Sequence, residues 1–499
     1  MKQLKKAKII HIGIIIAGII FSLIPAFHTN MWFDESYSAA IAEHGFFEIW
    51  QITGHDVHPI LYYWILHIVY LIFGNSILAF RLCSVVGLAL LGIVGYTHVR
   101  KDFGGKVGAI FSTFVFFLPT TLMYVTEIRM YTWAMLFVTL MCIYGYRLYK
   151  GAHKWQNWVL FGAMALASAY THYYGLVAAG IVNAMLFIGL LIPCIKQKKF
   201  LKEMKSYIIT GVVEILVYLP WLIYLALQLS QVSQGFWIGF KFPDTLIELF
   251  IFQFTGSLGG NARIVPIVGT VFAIFMAGCF ITYLVKNWKE PDSLPAKLIL
   301  IMYGLVLAVA VVVSLCASPI LYPRYLLVIT GPLLIAMAYA FSKMKNEYVK
   351  IIFIVFFVEM AIYGNISLTS YNYEKTNDAP FAYLEEKVQE NDIFIWENQL
   401  NGFVVAVHFP EHQQYFWNRA QWNVEEAYKA YGSMTTINNL ENLDAYAGRI
   451  WIADNSNYDI LSEMKKKYGD DHIKVIEKEG FDTKYQDGSY RFALIEKTV

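Results

Sequence analysis

The feature that most constrains this chain is a series of apolar runs, each close to the length that crosses a hydrocarbon layer as a helix, about 20 residues. They fall near 9 to 27, 77 to 99, 104 to 119, 130 to 148, 155 to 170, 175 to 193, 206 to 227, 263 to 285, 297 to 317, 325 to 341 and 349 to 367, which makes eleven expected spans. With 57% hydrophobic and only 15% charged residues, the chain carries more apolar surface than the cores of soluble domains bury. The opening "MKQLKKAKIIHIGIIIAGIIFSLIPAF" has a basic start and no small-residue cleavage site after its apolar run, so an uncleaved first span is expected.

The segment "PILYYWILHIVYLIF", residues 59 to 73, is apolar but short, and counting it as a span would invert everything downstream. Charge decides the matter. If it lies in the interface, the connections near 1 to 8, 98 to 106, 147 to 154, 196 to 205, 286 to 297 and 343 to 350 share one side and together carry 21 Lys and Arg. Residues 28 to 76 contain none, and the other opposite connections offer Arg129, Lys241 and Arg324, with Arg81 and Arg263 at span ends. The positive-inside bias therefore puts the six basic connections in the cytoplasm. An odd span count then leaves the C-terminus outside.

From about residue 370 the apolar runs shorten to "DIFIW", "RIWIA", "IKVIE" and "YRFALIE", interleaved with helix-like stretches such as "PFAYLEEKVQEN" and "YDILSEMKKKYG". That pattern predicts a soluble α/β domain at 370–499 after a transmembrane domain at 1–369. Residues 371 to 499 hold 22 acids against 13 bases and the remainder 15 against 26, a split that suits solubility outside and a basic inner face. The five cysteines lie in or beside apolar runs and form neither a disulfide framework nor a zinc spacing. No repeat or phosphate-binding glycine loop is present, and no nucleic-acid partner is expected.

This topology gathers polar residues from distant parts of the chain onto one membrane face. Asp34, Glu35, His55, Asp56 and His58 lie in the first outer loop, Glu127, Arg129 and Tyr131 open the fourth span in "TEIRMYTW", His172 sits in "YTHYYG", and Arg324 and Tyr325 sit in "YPRYLL". Ionisable groups at a membrane boundary are costly, so several on one face argue for a site. Each also has a plainer reading. Asp34 and Glu35 suit the positive end of a helix such as "ESYSAAIAEHGFFEIW". Glu127 and Arg129 could pair, although residues two apart do not face each other on a helix. Arg129 and Arg324 could snorkel to headgroups, but they break the inside bias of the other cations, and guanidinium suits phosphate. "HDVH" hints at metal without a diagnostic spacing. His11, His67 and His98 are assigned to packing.

Together these groups supply a carboxylate to accept a proton and cations to hold a phosphate, at the depth where a lipid-linked substrate presents its headgroup. Glycosyl transfer from a lipid phosphate needs both: a base for the acceptor hydroxyl, and charge neutralisation for the departing phosphate.

The ordered set "FDESYSA", "HDVHPILYYW", "EIRMY", "THYYG", "YLPWLIY" and "PRYLL", across about residues 7 to 341, resembles the polytopic lipid-phosphate-sugar glycosyltransferases of the GT-C class, in particular the family of protein O-mannosyltransferases and aminoarabinose transferases. The resemblance implies an all-α polytopic GT-C body with interfacial helices in the first outer loop, a polyprenyl-phosphate sugar donor and inversion at the anomeric carbon. It implies Asp34 as base with Glu35 supporting it. The segment at His58 and Pro59 resembles the donor-phosphate segment, where some relatives carry lysine before the proline. Arg129 and Arg324 match basic positions suited to the phosphate.

The sequence reading is thus an inverting glycosyltransferase of the cell envelope, embedded in the plasma membrane, with a protein, wall polymer or glycolipid as acceptor outside. Asp34 and Glu35 are its catalytic candidates; His55, His58, Glu127, Arg129, Tyr131, His172, Arg324 and Tyr325 are its donor-binding ones. A divalent metal ion is left open, with Asp34, Asp56 and Glu127 as candidate ligands. The rival readings are a transporter or flippase of a lipid-linked sugar, against which stand the one-sided site and the lack of paired interrupted spans, and a receptor without catalysis.

Overall fold

The computed structural model describes residues 2–233, 238–256, 264–421, 423–454, 459–485 and 488–498; Arg263 lies outside them. Among the described residues eight helices are long and apolar enough to cross a membrane: Lys5–Ala26, Ile77–Phe103, Tyr173–Gln197, Lys202–Ser230, Ile267–Lys286, Pro291–Cys316, Pro323–Ser342 and Glu347–Lys387. The other three apolar runs also form helices, Gly105–Phe117, Tyr131–Tyr149 and Trp155–Thr171. The chain is a multi-pass membrane protein. The segment 59 to 73 forms the helix Leu61–Phe73 of 13 residues, about 20 Å at 1.5 Å per residue. That is shorter than a hydrocarbon core of about 30 Å.

The chain divides into two compact units: residues 1–26, 57–62 and 81–369 form one, and residues 27–56, 63–80 and 370–499 the other. In the first, the helix Leu327–Ser342 is buried along nearly its whole length. Lys202–Tyr218, by contrast, leaves Ile208, Ile209, Val212, Ile215 and Leu216 exposed, the apolar surface that lipid covers. Without a hydrophobic drive between helices in lipid, close fit must hold them. Phe116 supplies it by filling the space over two glycines, since a Cβ at Gly18 or Gly92 would lie 2.3 or 2.2 Å from its ring. Gly331 lets its helix approach Tyr131–Tyr149, because a Cβ there would meet Thr139 Oγ1 at 2.1 Å.

The second unit contains, among the described residues, a six-stranded sheet in the order β3-β2-β1-β4-β6-β5. The strands are β1 (Ile393–Trp396), β2 (Gln414–Trp417), β3 (Met434–Ile437), β4 (Gly448–Asp454), β5 (Ile473–Asp482) and β6 (Ser489–Lys497). β1 to β4 run parallel, while β6 is antiparallel to both β4 and β5. The four strand-like runs became β1, β4, β5 and β6; β2 and β3 were not anticipated, because "QYFW" opens on a glutamine and "MTTI" carries two threonines, so neither reads as the continuous apolar run that marks β1. Ile395, Ile450, Ile452, Leu461 and Ile495 form its core. At one edge of the core the buried Asp392 accepts from Arg449 Nε at 2.8 Å and from Trp451 Nε1 at 2.8 Å.

The same unit holds the loop helices Phe33–Ile41 and Phe46–Gly54. The single helix expected over 35 to 50 is broken at Gly45, whose extended backbone caps the second helix while its N–H donates to Glu48 Oε2 at 3.2 Å. Within this unit Trp64 Nε1 donates to Phe46 O at 2.9 Å, and His67 Nδ1 pairs with Ala42 O at 2.9 Å. His67 is therefore a packing residue.

Candidate active site

In the membrane unit the turn between Pro119–Met123 and Tyr131–Tyr149 carries Glu127 and Arg129. Its irregular backbone exposes carbonyls that helix geometry leaves without partners, and buried carbonyls must find donors. Ser84 Oγ donates to Glu127 O at 2.6 Å, and Arg81 donates to Thr126 O. Arg81 and Ser84 thus set the turn, a role that sequence reasoning missed. Arg81, a cation near the start of an apolar run, was the available signal, and it is fully buried.

Arg129 is 1% exposed, and its Nη2 donates to His58 Nε2 at 3.0 Å, which makes that nitrogen an acceptor. His172 stands between Trp155–Thr171 and Tyr173–Gln197, capping the second helix by accepting from Tyr174 N–H through Nδ1 at 3.1 Å. Burial, reinforced by the positive charges of Arg129 and Arg324, holds its imidazole well below the ordinary value, so it is neutral and keeps its remaining proton on Nε2. Its ring lies 5.2 Å from Tyr325 and 6.0 Å from Tyr131. The Arg324 guanidinium sits over the rings of Tyr322 and Tyr325, at 5.2 and 5.9 Å. Burial pushes the Tyr124 phenol well above its ordinary value, with the Glu127 charge raising it further and Arg324 opposing. His58, Glu127, Arg129, Tyr131, His172, Arg324 and Tyr325 therefore form one cluster.

Beside this cluster lies a cavity of about 520 Å³. Its polar lining comes from connecting segments, through His58, His172 and Tyr325, and its aliphatic lining from helix bodies, through Leu225, Leu229, Val306, Val309 and Val313. Trp221 of "YLPWLIY" stiffens one side: its Nε1 donates to Tyr173 Oη at 3.2 Å, and Tyr173 in turn donates to Gln228. Tyr174 donates to Ile320 O at 2.8 Å, and Ser314 Oγ accepts from Ile320 N at 3.0 Å, which orders the segment before Arg324.

The second unit holds Asp34, Glu35, His55 and Asp56. Both acids of the opening motif lie in the first turn of Phe33–Ile41, where the helix dipole favours negative charge. Glu35 is fully buried and accepts from Tyr485 Oη at 2.9 Å. Burial raises the Tyr431 phenol well above its ordinary value, and the charges of Asp34 and Asp56 add to that while its hydrogen bond to Ser36 opposes it. Asp34 and Asp56 thus both lie within electrostatic reach of Tyr431. His55 ends Phe46–Gly54 with its Nδ1 3.0 Å from Gln51 O; it does not line the cavity. Among the described residues no group of three or more His, Cys, Asp or Glu that could hold a metal ion is found. Glu127 belongs to the membrane unit and the two aspartates to the other.

A family profile described as dolichyl-phosphate-mannose-protein mannosyltransferase matches residues 57–224, about a third of the chain. Two crystal structures of ArnT from Cupriavidus metallidurans share the fold over 98% of this chain at 11% identity. The apo form has a TM-score of 0.64 with 97% of its own length covered, and the form bound to undecaprenyl phosphate 0.59 with 98% covered. No curated protein sequence matches significantly. The chain carries the GT-C fold of the membrane glycosyltransferases, and its segment 57–224 is similar to the protein mannosyltransferase family within that class.

Proposed function

We propose that this protein is an inverting glycosyltransferase that moves a sugar from a polyprenyl phosphate to an extracytoplasmic acceptor of the cell envelope. The observation that carries the reading is the cavity, whose aliphatic walls suit an isoprenoid tail and whose polar lining adjoins the Arg129–His58 pair and Arg324. The shared fold with an ArnT structure bound to undecaprenyl phosphate supports the same ligand class. In this reading residues 1–369 are the catalytic membrane body, with the N-terminus in the cytoplasm of a plasma-membrane protein, and residues 370–499 are an extracytoplasmic domain.

Arg129 and Arg324 bind the donor phosphate and neutralise the charge it gains as the bond to the anomeric carbon breaks. His58 orients Arg129, and the neutral His172 offers a donor from Nε2. Asp34 accepts the proton of the attacking acceptor hydroxyl, which enters opposite the departing phosphate and so inverts the anomeric centre. The phosphate leaves as an anion without needing a strong general acid.

The test uses purified protein with undecaprenyl-phosphate-linked hexose, N-acetylhexosamine and pentose donors, and a cell-envelope extract as acceptor. Asp34→Asn is expected to abolish sugar transfer while leaving undecaprenyl phosphate binding intact. Full transfer by that variant would remove the proposed base. Arg324→Ala is expected to weaken undecaprenyl phosphate binding with little change in melting temperature, and unchanged affinity would count against its phosphate role.

A further inference from the structure

We infer that the C-terminal α/β domain positions the opening-motif helix, with Tyr431 and Tyr485 as the positioning residues and Glu35 as the handle through which Tyr485 acts. The inference rests on the reading of Asp34 as the base and extends it to residues that no sequence motif marks.

Four consecutive residues make the first turn of this helix, and three of them are held by separate segments of the C-terminal domain. Phe33 stacks on Phe403 at 5.5 Å, and Phe403 stacks on Tyr431 at 4.5 Å with the rings 12° from parallel. Glu35, fully buried, accepts from Tyr485 Oη at 2.9 Å. Ser36 Oγ lies 3.1 Å from Tyr431 Oη and itself donates to Phe33 O at 2.8 Å. Beyond the helix, His44 Nε2 lies 2.9 Å from Ala430 O, beside Tyr431.

Successive residues of a helix point about 100° apart, so Phe33, Glu35 and Ser36 take three of the four directions of that turn. The fourth belongs to Asp34. Holding the other three directions fixes the rotation of the turn about its axis, and with it the direction of the Asp34 carboxylate.

The tyrosines are themselves held. The backbone N–H of Tyr485 donates to Asn377 Oδ1 at 3.0 Å, and its ring lies 5.3 Å from Tyr371 and 5.6 Å from His28. Tyr431 packs at 6.3 Å from Tyr37, on the same loop helix as Asp34. The domain thus acts as a clamp. A general base must sit within hydrogen-bond reach of the proton it removes, and a displacement near 1 Å costs on the order of 100-fold in rate.

The experiment compares the full-length protein with Tyr431→Phe and Tyr485→Phe, which remove one hydroxyl each and keep the rings. Hydrogen exchange by mass spectrometry reads the helix directly and needs no substrate: faster exchange over residues 33–41 is expected in both variants. With the undecaprenyl-phosphate-linked sugar that the parent turns over, kcat is expected to fall roughly 10- to 100-fold, with the donor KM within about twofold and melting temperature nearly unchanged. A merely structural role would lower the melting temperature without splitting kcat from KM. Glu35→Gln keeps an accepting carbonyl for Tyr485, so it is expected to recover most of the activity that Glu35→Ala loses. That comparison also decides the matter should a tyrosine variant fail to fold.

Parent-like exchange and kcat in both tyrosine variants, or equal losses in Glu35→Gln and Glu35→Ala, overturn the inference. Full activity in Asp34→Asn defeats the base reading instead. The exchange measurement then still reports whether the clamp exists.

Discussion

Replacing Arg129 by methionine tests the phosphate cluster most directly. The side chain is 1% exposed and directs Nη2 to His58 Nε2 at 3.0 Å, while His58 lines the aliphatic cavity. Methionine approximates the aliphatic stem, so most packing survives while the charge and the planar fork of donors are lost. A hydrogen bond to a charged group contributes about 1.5–3 kcal/mol, and each 1.4 kcal/mol is tenfold in affinity. Arg129→Met is therefore expected to raise the Kd for undecaprenyl phosphate roughly 10- to 150-fold. The assay is native mass spectrometry in detergent with undecaprenyl phosphate and undecaprenol side by side. The parent is expected to prefer the phosphate, and the variant to lose that preference while binding undecaprenol as before. Because the guanidinium is buried, raising salt is expected to change the parent's preference little, whereas an arginine snorkelling to headgroups would be screened. An unaltered preference in Arg129→Met would refute the reasoning.

Two further outcomes test the fold and the outer domain. Gly331→Ala places a Cβ 2.1 Å from Thr139 Oγ1 and 3.0 Å from Met135 O, so a loss of about 1–3 kcal/mol is expected from overpacking; adding Thr139→Ala is expected to recover part of it in thermal melts, and no recovery would locate the strain elsewhere. His408, stacked on Phe381 at 3.9 Å, has its imidazole held below the ordinary 6.5 chiefly by burial, against the raising effect of its bond to Val404 O. The unfolded chain therefore binds the proton first, so this residue's contribution is complete above about pH 6.5 and is lost as the pH falls below it. Melting at pH 5 against pH 7 is expected to show a smaller drop for His408→Gln than for the parent; equal drops would acquit His408.

Much of the architecture was legible because its causes are local. A span announces itself by apolar length, and β4 and β6 by dense β-branched and aromatic runs such as "RIWIA" and "YRFALIE". The segment 59 to 73 stood apart from the long apolar runs by its length, and it forms a helix of only 13 residues, Leu61–Phe73. β2 and β3 escaped because "QYFW" and "MTTI" lack the unbroken apolar pattern of "IFIW", and such strands draw their stability from neighbours in the sheet. The break at Gly45 escaped because a helical pattern continues through it, and only the Glu48 cap and the packing of Trp64 against Phe46 O decide where the chain bends.

The candidate site divides along the same line. The sequence by itself named Asp34, Glu35, His58, Arg129, His172 and Arg324 as candidates, from the expectation that ionisable residues of distant segments share one membrane face. Only the tertiary structure decided that Arg129 donates to His58, that His172 is a neutral cap beside Tyr325, and that Arg81 and Ser84 shape the turn between them. It also decided that Glu35 is bound by Tyr485, 450 residues away in the chain. The physical reason is range. Hydrophobic length and charge bias act on a segment where it stands, whereas the orientation of a buried polar group depends on whichever distant side chain satisfies it.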